Sequence, residues 1–375
     1  MKWSILVAGD FRISSDSRII GQELKSTIRH NDIAIVNFEG PLCGQGSPIA
    51  KDGPSLCNSS QAVILLKEAG FNATSLANNH ILDFGPDGLE ATLEECQANG
   101  LLTCGAGSNI KEAFRPLEIE VANGVLVSII SVCEREFGIA GKRRGGAAWV
   151  SHPFTKRAIQ VAKKASDIVV VVAHGGIVGV PFPPIERQIQ LRRMADAGAN
   201  LVIGHHPHVP QGWEKYRDSY IFYSLGNFLF DNPKAIYDNE WNLIVQFDFE
   251  NKSLANYCVK ICERKADAVY LKTGQTTPIL DYMKRLSNIM EDRDVFELYW
   301  QELAVRLFKE RYYPNLAHAK YIKLLNWLRC ESHYWTIKKA LSVLAGNVRN
   351  RHVENVQDDL EDLMKLMKKC SVPDR

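Results

Sequence analysis

The chain has 375 residues, 46% of them hydrophobic and 23% charged, with a formal net charge of +2. That length fits one large domain with an appendage. So small a charge surplus argues against nucleic acid as the main partner, and no run of about 18 apolar residues predicts an integral membrane segment.

The first apolar run, Ile5-Leu6-Val7-Ala8, is too short for the core of a secretory signal and predicts a buried strand that stops at Gly9-Asp10. Similar runs follow at 33–36, 73–76, 168–172, 201–203 and 220–223, each ending in a polar or Gly-rich cluster. Near-continuous apolar strands of this kind are buried on both faces. Helical patterns lie between them at 60–69, 87–98, 155–165 and 184–197, with Gly70 and Gly198 as stop signals. Alternation of strand and helix predicts an α/β fold. Residues 117–133 and 241–272 carry strand patterns without intervening helices and predict added antiparallel strands, with a second sheet suggested.

The character changes near residue 275. Three helical stretches are predicted, roughly 279–312, 316–345 and 352–369, with breaks near Pro314 and Asn347. The division expected is a site-bearing domain over 1–274 and a helical C-terminal region over 275–375 that stays outside the active site. Nine cysteines, an odd number without a Cys-x-x-Cys pair, predict neither a disulfide framework nor a zinc knuckle. They point instead to small buried residues in a reducing compartment, and so to a cytoplasmic protein.

In an open α/β sheet, functional groups gather beyond the carboxyl ends of the strands. The strand ends here carry Asp10; Asn37 and Glu39; Asn79 and His80; His174; His205, His206 and His208; and Asn227. Carboxylates, amide oxygens and imidazoles together make a transition-metal ligand set. A single histidine in such a place is more often structural. Their recurrence at successive strand ends is hard to explain by packing, and at least one divalent ion is expected among them. His206-Pro207-His208 on an extended loop would turn two rings to one side and leave His205 pointing away. Asp83, three residues after His80, either orients that ring or caps the following helix.

The motifs Gly9-Asp10, Asn37-Phe38-Glu39-Gly40-Pro41-Leu42, Asn78-Asn79-His80-Ile81-Leu82-Asp83-Phe84-Gly85, Gly105-Ala106-Gly107, His174-Gly175-Gly176, Gly204-His205-His206-Pro207-His208 and Tyr223-Ser224-Leu225-Gly226-Asn227-Phe228 resemble those of the CapA, or poly-γ-glutamate capsule, family. That family is a divergent branch of the calcineurin-like metallophosphoesterases. The resemblance spans about 4–231 and implies a metallophosphoesterase-like four-layer α/β/β/α sandwich. It implies that Asp10 and His208 hold a first metal, that Glu39 bridges, and that Asn79, His174 and His206 hold a second. It makes His80, paired with Asp83, the proton donor.

Two departures touch the first metal. Arg12 stands where the superfamily usually has a histidine, and Asn37-Phe38-Glu39 replaces the usual aspartate motif. A third is the apolar Ile177-Val178-Gly179-Val180 after the His174 motif, where an acidic residue is common.

The reading that follows is a metal-dependent hydrolase using one or two divalent ions (Mn, Zn, Fe or Ca). Its substrate would be a phosphoester, ester or amide in capsule or peptide-polymer metabolism. An anionic polymer or peptide would meet Arg12 and the loop Lys142-Arg143-Arg144. One alternative is peptide epimerisation by acid–base chemistry at the same residues. Another is a non-catalytic accessory subunit docking a protein partner through apolar residues of the C-terminal helices, Trp300, Trp327 and Trp335 among them.

Overall fold

Alternation along the buried strands sets the architecture. The computed structural model describes residues 1–231, 240–265, 267–346 and 354–369. In the strands Lys2–Arg12 and Ile33–Phe38, Ile5, Val7, Ile33 and Ile35 enter a core shared with a second sheet. Their neighbours Leu6, Ala8, Ala34 and Val36 enter a separate core closed by helices.

Among the described residues the first sheet has nine strands. Its parallel half runs Lys2–Arg12, Ile33–Phe38, Ala73–Ser75, Leu102–Cys104. On the other side of Lys2–Arg12 lie the antiparallel strands Trp241–Glu250 and Ser253–Lys265. The second sheet has six strands, ordered Pro210–Tyr216, Ser219–Leu225, Leu201–His205, Ile168–His174, Val125–Cys133, Leu117–Val121. Helices Gln22–Arg29, Ala62–Ala69 and Gly85–Ala98 cover the first sheet. Helices Pro153–Ala165 and Ile185–Asp196 cover the second. The result is the expected four-layer α/β/β/α sandwich with a helical C-terminal part. Helix Gln22–Arg29 is an addition to the predicted elements. Its two buried residues, Leu24 and Ile28, are one turn apart, too short an apolar stripe to stand out by periodicity.

The C-terminal helices are more broken than their periodicity suggests. The predicted helix 279–312 divides into Thr277–Glu291 and Arg293–Leu307, because the Asp292 carboxylate accepts the N–H groups of Asp294 and Val295 and starts a new helix. The predicted 316–345 divides at Cys330 into Tyr321–Arg329 and Glu331–Leu344. Helix Glu354–Lys369 follows, while Asn347 lies outside the described residues. Trp300 is fully buried and Trp327 nearly so, which corrects their expected role as docking residues; the exposed apolar groups there include Tyr313, Leu316, Tyr321, Leu328, Leu341 and Leu344. No helix among the described residues is long and apolar enough to cross a membrane.

The cysteine expectation is also corrected. Cys43 and Cys57 form a disulfide that closes a loop against the first sheet. An odd count concealed one pair: among the described residues the six other cysteines are free, and all of these but Cys258 are buried. The bond removes the argument that cysteine usage made for a reducing compartment.

Candidate metal centre

Both sheets end on one rim. The first contributes Asp10, near the end of Lys2–Arg12, Glu39, directly after Ile33–Phe38, and the Asn79-His80 turn after Ala73–Ser75. The second contributes His174, the last residue of its strand, and the loop His206-Pro207-His208 after Leu201–His205. Strand Lys2–Arg12 slips register at Asp10, where it exchanges Trp241–Glu250 for Asn227–Phe230 as its neighbour. Such an irregularity re-aims side chains at a sheet edge. His206 (φ 97°) and His208 (φ 61°) both adopt left-handed backbone, uncommon for any non-glycine residue. Their rings therefore reach one side through this strained turn and not through strand alternation, and the centroids stand 5.8 Å apart.

The sequence-derived ligand residues converge. His174 Nε2 lies 3.0 Å from Asn79 Oδ1 and 3.1 Å from His206 Nδ1. Two ligands about 2.1 Å from one ion and at right angles to each other are separated by roughly 3 Å, so these three atoms suit a common ion. Asp10, Glu39 and His174 bring ligand atoms within 4.8 Å of one another, and so do Glu39, His206 and His208. Glu39 belongs to both groups, as a bridging carboxylate would. Both its oxygens are buried and without a hydrogen-bond partner. A buried carboxylate without hydrogen bonds is costly; His208 and His80 stand 3.7 and 3.9 Å from one of its oxygens, and a divalent cation would answer the remaining deficit.

Electrostatics tell the same story. Burial pushes Glu39 up to about 8, with Asp10, Asp83 and Glu136 adding to the rise against His208. His208 is pulled up to about 9, because Glu39 and Asp10 outweigh its burial. Asp10 is held well below the carboxylate range; burial opposes this, but His205 and His208 hydrogen-bond to it. Burial and neighbouring imidazoles depress His174 and His206, which keeps them neutral and able to ligate.

His205 stands behind the ligand residues and does not face solvent: it is buried, and its Nδ1 stands 3.1 Å from Asp10 Oδ1. Asn37 donates to that same oxygen at 2.8 Å, so the two residues fix the Asp10 carboxylate.

The His80–Asp83 pair forms, with Nδ1 2.6 Å from Asp83 Oδ2. Its ionisation differs from the expected imidazolium. Lys51 Nζ reaches the other Asp83 oxygen at 2.5 Å and lies 3.0 Å from His80 Nδ1. Burial and this ammonium lower His80 to about 4 despite Asp83, so the ring is neutral at pH 7. With Nδ1–H donating to Asp83, Nε2 is a free acceptor 3.9 Å from Glu39. Lys51 was not legible: it sits in a Gly- and Pro-rich loop with no periodicity.

Arg12 stands at the margin. Its Nε donates to the Cys57 carbonyl at 3.1 Å and another nitrogen to the Asp231 carbonyl, while Glu39 is close enough to influence its charge. The helical region comes nearer than expected. None of its described side chains hydrogen-bonds or ion-pairs with His80 or His208, but the His333 charge is felt at His206, and Cys330 and His333 gather with Glu136. Glu136 in turn accepts a hydrogen bond from Asn79 Nδ2 at 3.2 Å.

Residues 7–232 match the family described as bacterial capsule synthesis protein PGA_cap. The chain is 36% identical over 216 residues to the PGA biosynthesis protein CapA of Bacillus subtilis, covering 56% of this chain and 57% of that one. It is 32% identical over 213 residues to the capsule biosynthesis protein CapA of Bacillus anthracis, covering 54% and 52%. It thus spans about half the length of the curated relatives it matches. A hypothetical protein from Thermus thermophilus overlaps 70% of this chain and 100% of its own, at 17% identity and a TM-score of 0.48. The match over more than half of the residues, with the metal-ligand motifs inside it, shows that the chain belongs to the bacterial capsule synthesis protein family PGA_cap.

Proposed function

We propose that this protein is a metal-dependent hydrolase that cleaves a phosphoester, ester or amide bond in an anionic capsule or peptide polymer. The observation that carries the reading is the buried Glu39 carboxylate, whose oxygens accept no hydrogen bond, flanked by Asp10, His174, His206 and His208. Asp10, Glu39 and His208 would hold one divalent ion and Glu39, Asn79, His174 and His206 a second. Such an ion supplies a hydroxide-like water at neutral pH and polarises the scissile group.

The protein's own groups do the rest. Asn37 and His205 hold Asp10 in place. His80, neutral and oriented by Asp83, accepts a proton at Nε2, and Lys51 stabilises the Asp83 charge behind it. A groove of about 770 Å³ supports a polyanionic substrate: Lys111, Arg135, Lys142, Arg144 and Arg329 line it together with Phe137 and Trp149. Phe137 lies under Lys51, 5.9 Å from the ammonium, which joins this groove to the candidate centre.

The test uses the full chain loaded with manganese or zinc, incubated with poly-γ-glutamate and with chromogenic phosphoesters and esters. Hydrolysis lost in D10N and H206A supports the reading; absence of turnover on every substrate class counts against it. The neutral His80 beside the cationic Lys51 also favours a second reading, in which a base and an acid exchange a Cα proton of a peptide. Deuterium incorporation from heavy water without chain cleavage would select it.

A further inference from the structure

We propose that Glu136, Cys330 and His333, with Glu134 beside them, form a separate metal site of the zinc class that clasps the C-terminal helices to the rim of the candidate centre. The residues come from distant parts of the chain. Glu134 and Glu136 directly follow the strand Val125–Cys133, and Cys330 and His333 lie at the start of the helix Glu331–Leu344. Ligand atoms of Glu136, Cys330 and His333 all lie within 4.8 Å of one another. Cys330 Sγ is 3.3 Å from Glu134 Oε2, a separation that two ligands of one ion also show.

Spacing and orientation suit ligation. Cys330 and His333 are three residues apart at a helix start, so their side chains share a face. The His333 Nδ1 is engaged by the Tyr312 hydroxyl at 2.7 Å, which leaves Nε2 for the cluster and fixes the ring as ligating histidines are usually fixed. A thiolate, an imidazole and a carboxylate select zinc or cobalt over magnesium or calcium.

The surrounding charge favours a cation. Three carboxylates meet here: Glu134, Glu136 and Glu331. Glu331 is satisfied by Trp149 Nε1, Ser151 Oγ and the Arg135 N–H. Glu134 has Ser332 and, at 3.7 Å, Arg187. Glu136 makes no ion pair among the described residues. The opposing cations are Arg187, Arg311, which is close enough to depress His333, and Lys51, whose charge is felt at Glu136. The site is distinct from the candidate centre but linked to it through Asn79, whose Nδ2 donates to Glu136 while Oδ1 faces His174.

The experiment loads the full chain with cobalt(II) and, separately, zinc. It measures metal per chain and the near-ultraviolet thiolate-to-cobalt charge-transfer absorption. Wild type should hold one ion more than C330S, E136Q or H333A. The charge-transfer band should be present in wild type and persist in D10N and H206A, but vanish in C330S. No band at saturating cobalt, or equal metal content in wild type and E136Q, overturns the proposal. If C330S does not fold, E136Q, which keeps the thiol, decides by metal content. Loss of a different ion in H206A with the band retained reports on the candidate centre alone, so the two readings fail separately.

Discussion

Lys51 and His80 compete for one carboxylate, and that competition sets the chemistry at the rim. Removing the ammonium in K51M leaves Asp83 to the imidazole, so His80 should titrate well above about 4 in the metal-free protein. An NMR pH titration of the ring reads this, and an unmoved value would mean that burial alone holds the ring neutral. H80A should slow turnover roughly 10²–10⁴-fold with metal content intact, whereas H206A should lose metal as well; equal metal loss in the two would make His80 a ligand. The same residues give the metal-free protein a pH optimum of stability. His80 and His333 titrate at about 4, below the roughly 6.5 of a free imidazole, so the unfolded chain binds more protons between these values and stability rises with pH. Glu39 at about 8, Glu134 at about 7 and the raised Glu136 oppose this from about pH 4.5 upward, but His174 and His206, also lowered, add to the rise. Above about 6.5 the sign reverses: Glu39 and His208, at about 8 and about 9, hold protons that the unfolded chain has lost. The melting temperature of the chelated protein should therefore peak near pH 6.5 and fall toward pH 9, and a steady rise across that range would contradict the assignment. Asp10, Glu39, Asn79, His174, His206 and His208 were legible because each lies at or just beyond the end of a strand. Lys51 and His333 were not, because only tertiary packing brings their segments to the rim, whereas Glu136 follows the strand Val125–Cys133 and the same rule could have found it.

The loop between Cys43 and Cys57 is the element that delivers Lys51, and it is fixed at several points. The Ile49 N–H donates to the Asp83 carbonyl at 2.9 Å, and the Leu56 N–H to the Asp83 carboxylate at 2.8 Å. Gly46, at φ 72°, passes so close to Phe84 that a Cβ would stand 1.9 Å from its carbonyl oxygen. The disulfide spans a sequence separation of 14. Closing a loop of that size stabilises a fold by about 3 kcal/mol in the chain-entropy account. The C43S/C57S double variant should lose about that much in urea unfolding, and its Lys51 contact should loosen; a loss below ~0.5 kcal/mol would show that the hydrogen bonds alone hold the loop. Periodicity could not reveal this element, since loop residues carry no repeating pattern and cysteine counting sees only totals. It did reveal the long strands, whose apolar runs are continuous because both faces are buried. It overran the C-terminal helices, where apolar periodicity continues across Asp292 and Cys330 although the backbone turns there.

The helical region and the sandwich share one interior, and this is the property of the whole molecule that sequence division at residue 275 conceals. Ile279, Met283, Leu286 and Met290 of Thr277–Glu291 enter the core that also holds Ile221 and Phe222 of the second sheet. Gly212 is needed there, because a Cβ would meet the Met290 methyl at 2.4 Å. Polar bonds cross the same boundary: Gln188 donates to the Met290 carbonyl at 3.0 Å, and Glu134 accepts from Ser332. The basic groove is likewise built across it, with Arg329 from a C-terminal helix, which burial and then the charges of Arg135 and Arg144 beside it depress. Cations gathered this way gain from an anionic chain, so R144E/R329E should weaken poly-γ-glutamate binding at low salt, with the difference shrinking as salt screens it; unchanged binding would remove the groove from the substrate path. A chain ended at residue 275 tests the shared interior itself. It would strip the second sheet of Trp300, Leu303 and the Thr277–Glu291 face, each fully buried apolar side chain being worth about 1.5–3 kcal/mol. Losing several of these approaches or exceeds the roughly 5–15 kcal/mol by which domains are usually stable. The truncated chain should be insoluble, or soluble without cooperative unfolding, as read by circular dichroism and limited proteolysis. A truncated chain that melts cooperatively near the full-length temperature would instead establish residues 1–274 as a self-sufficient domain, with the helices added to its surface.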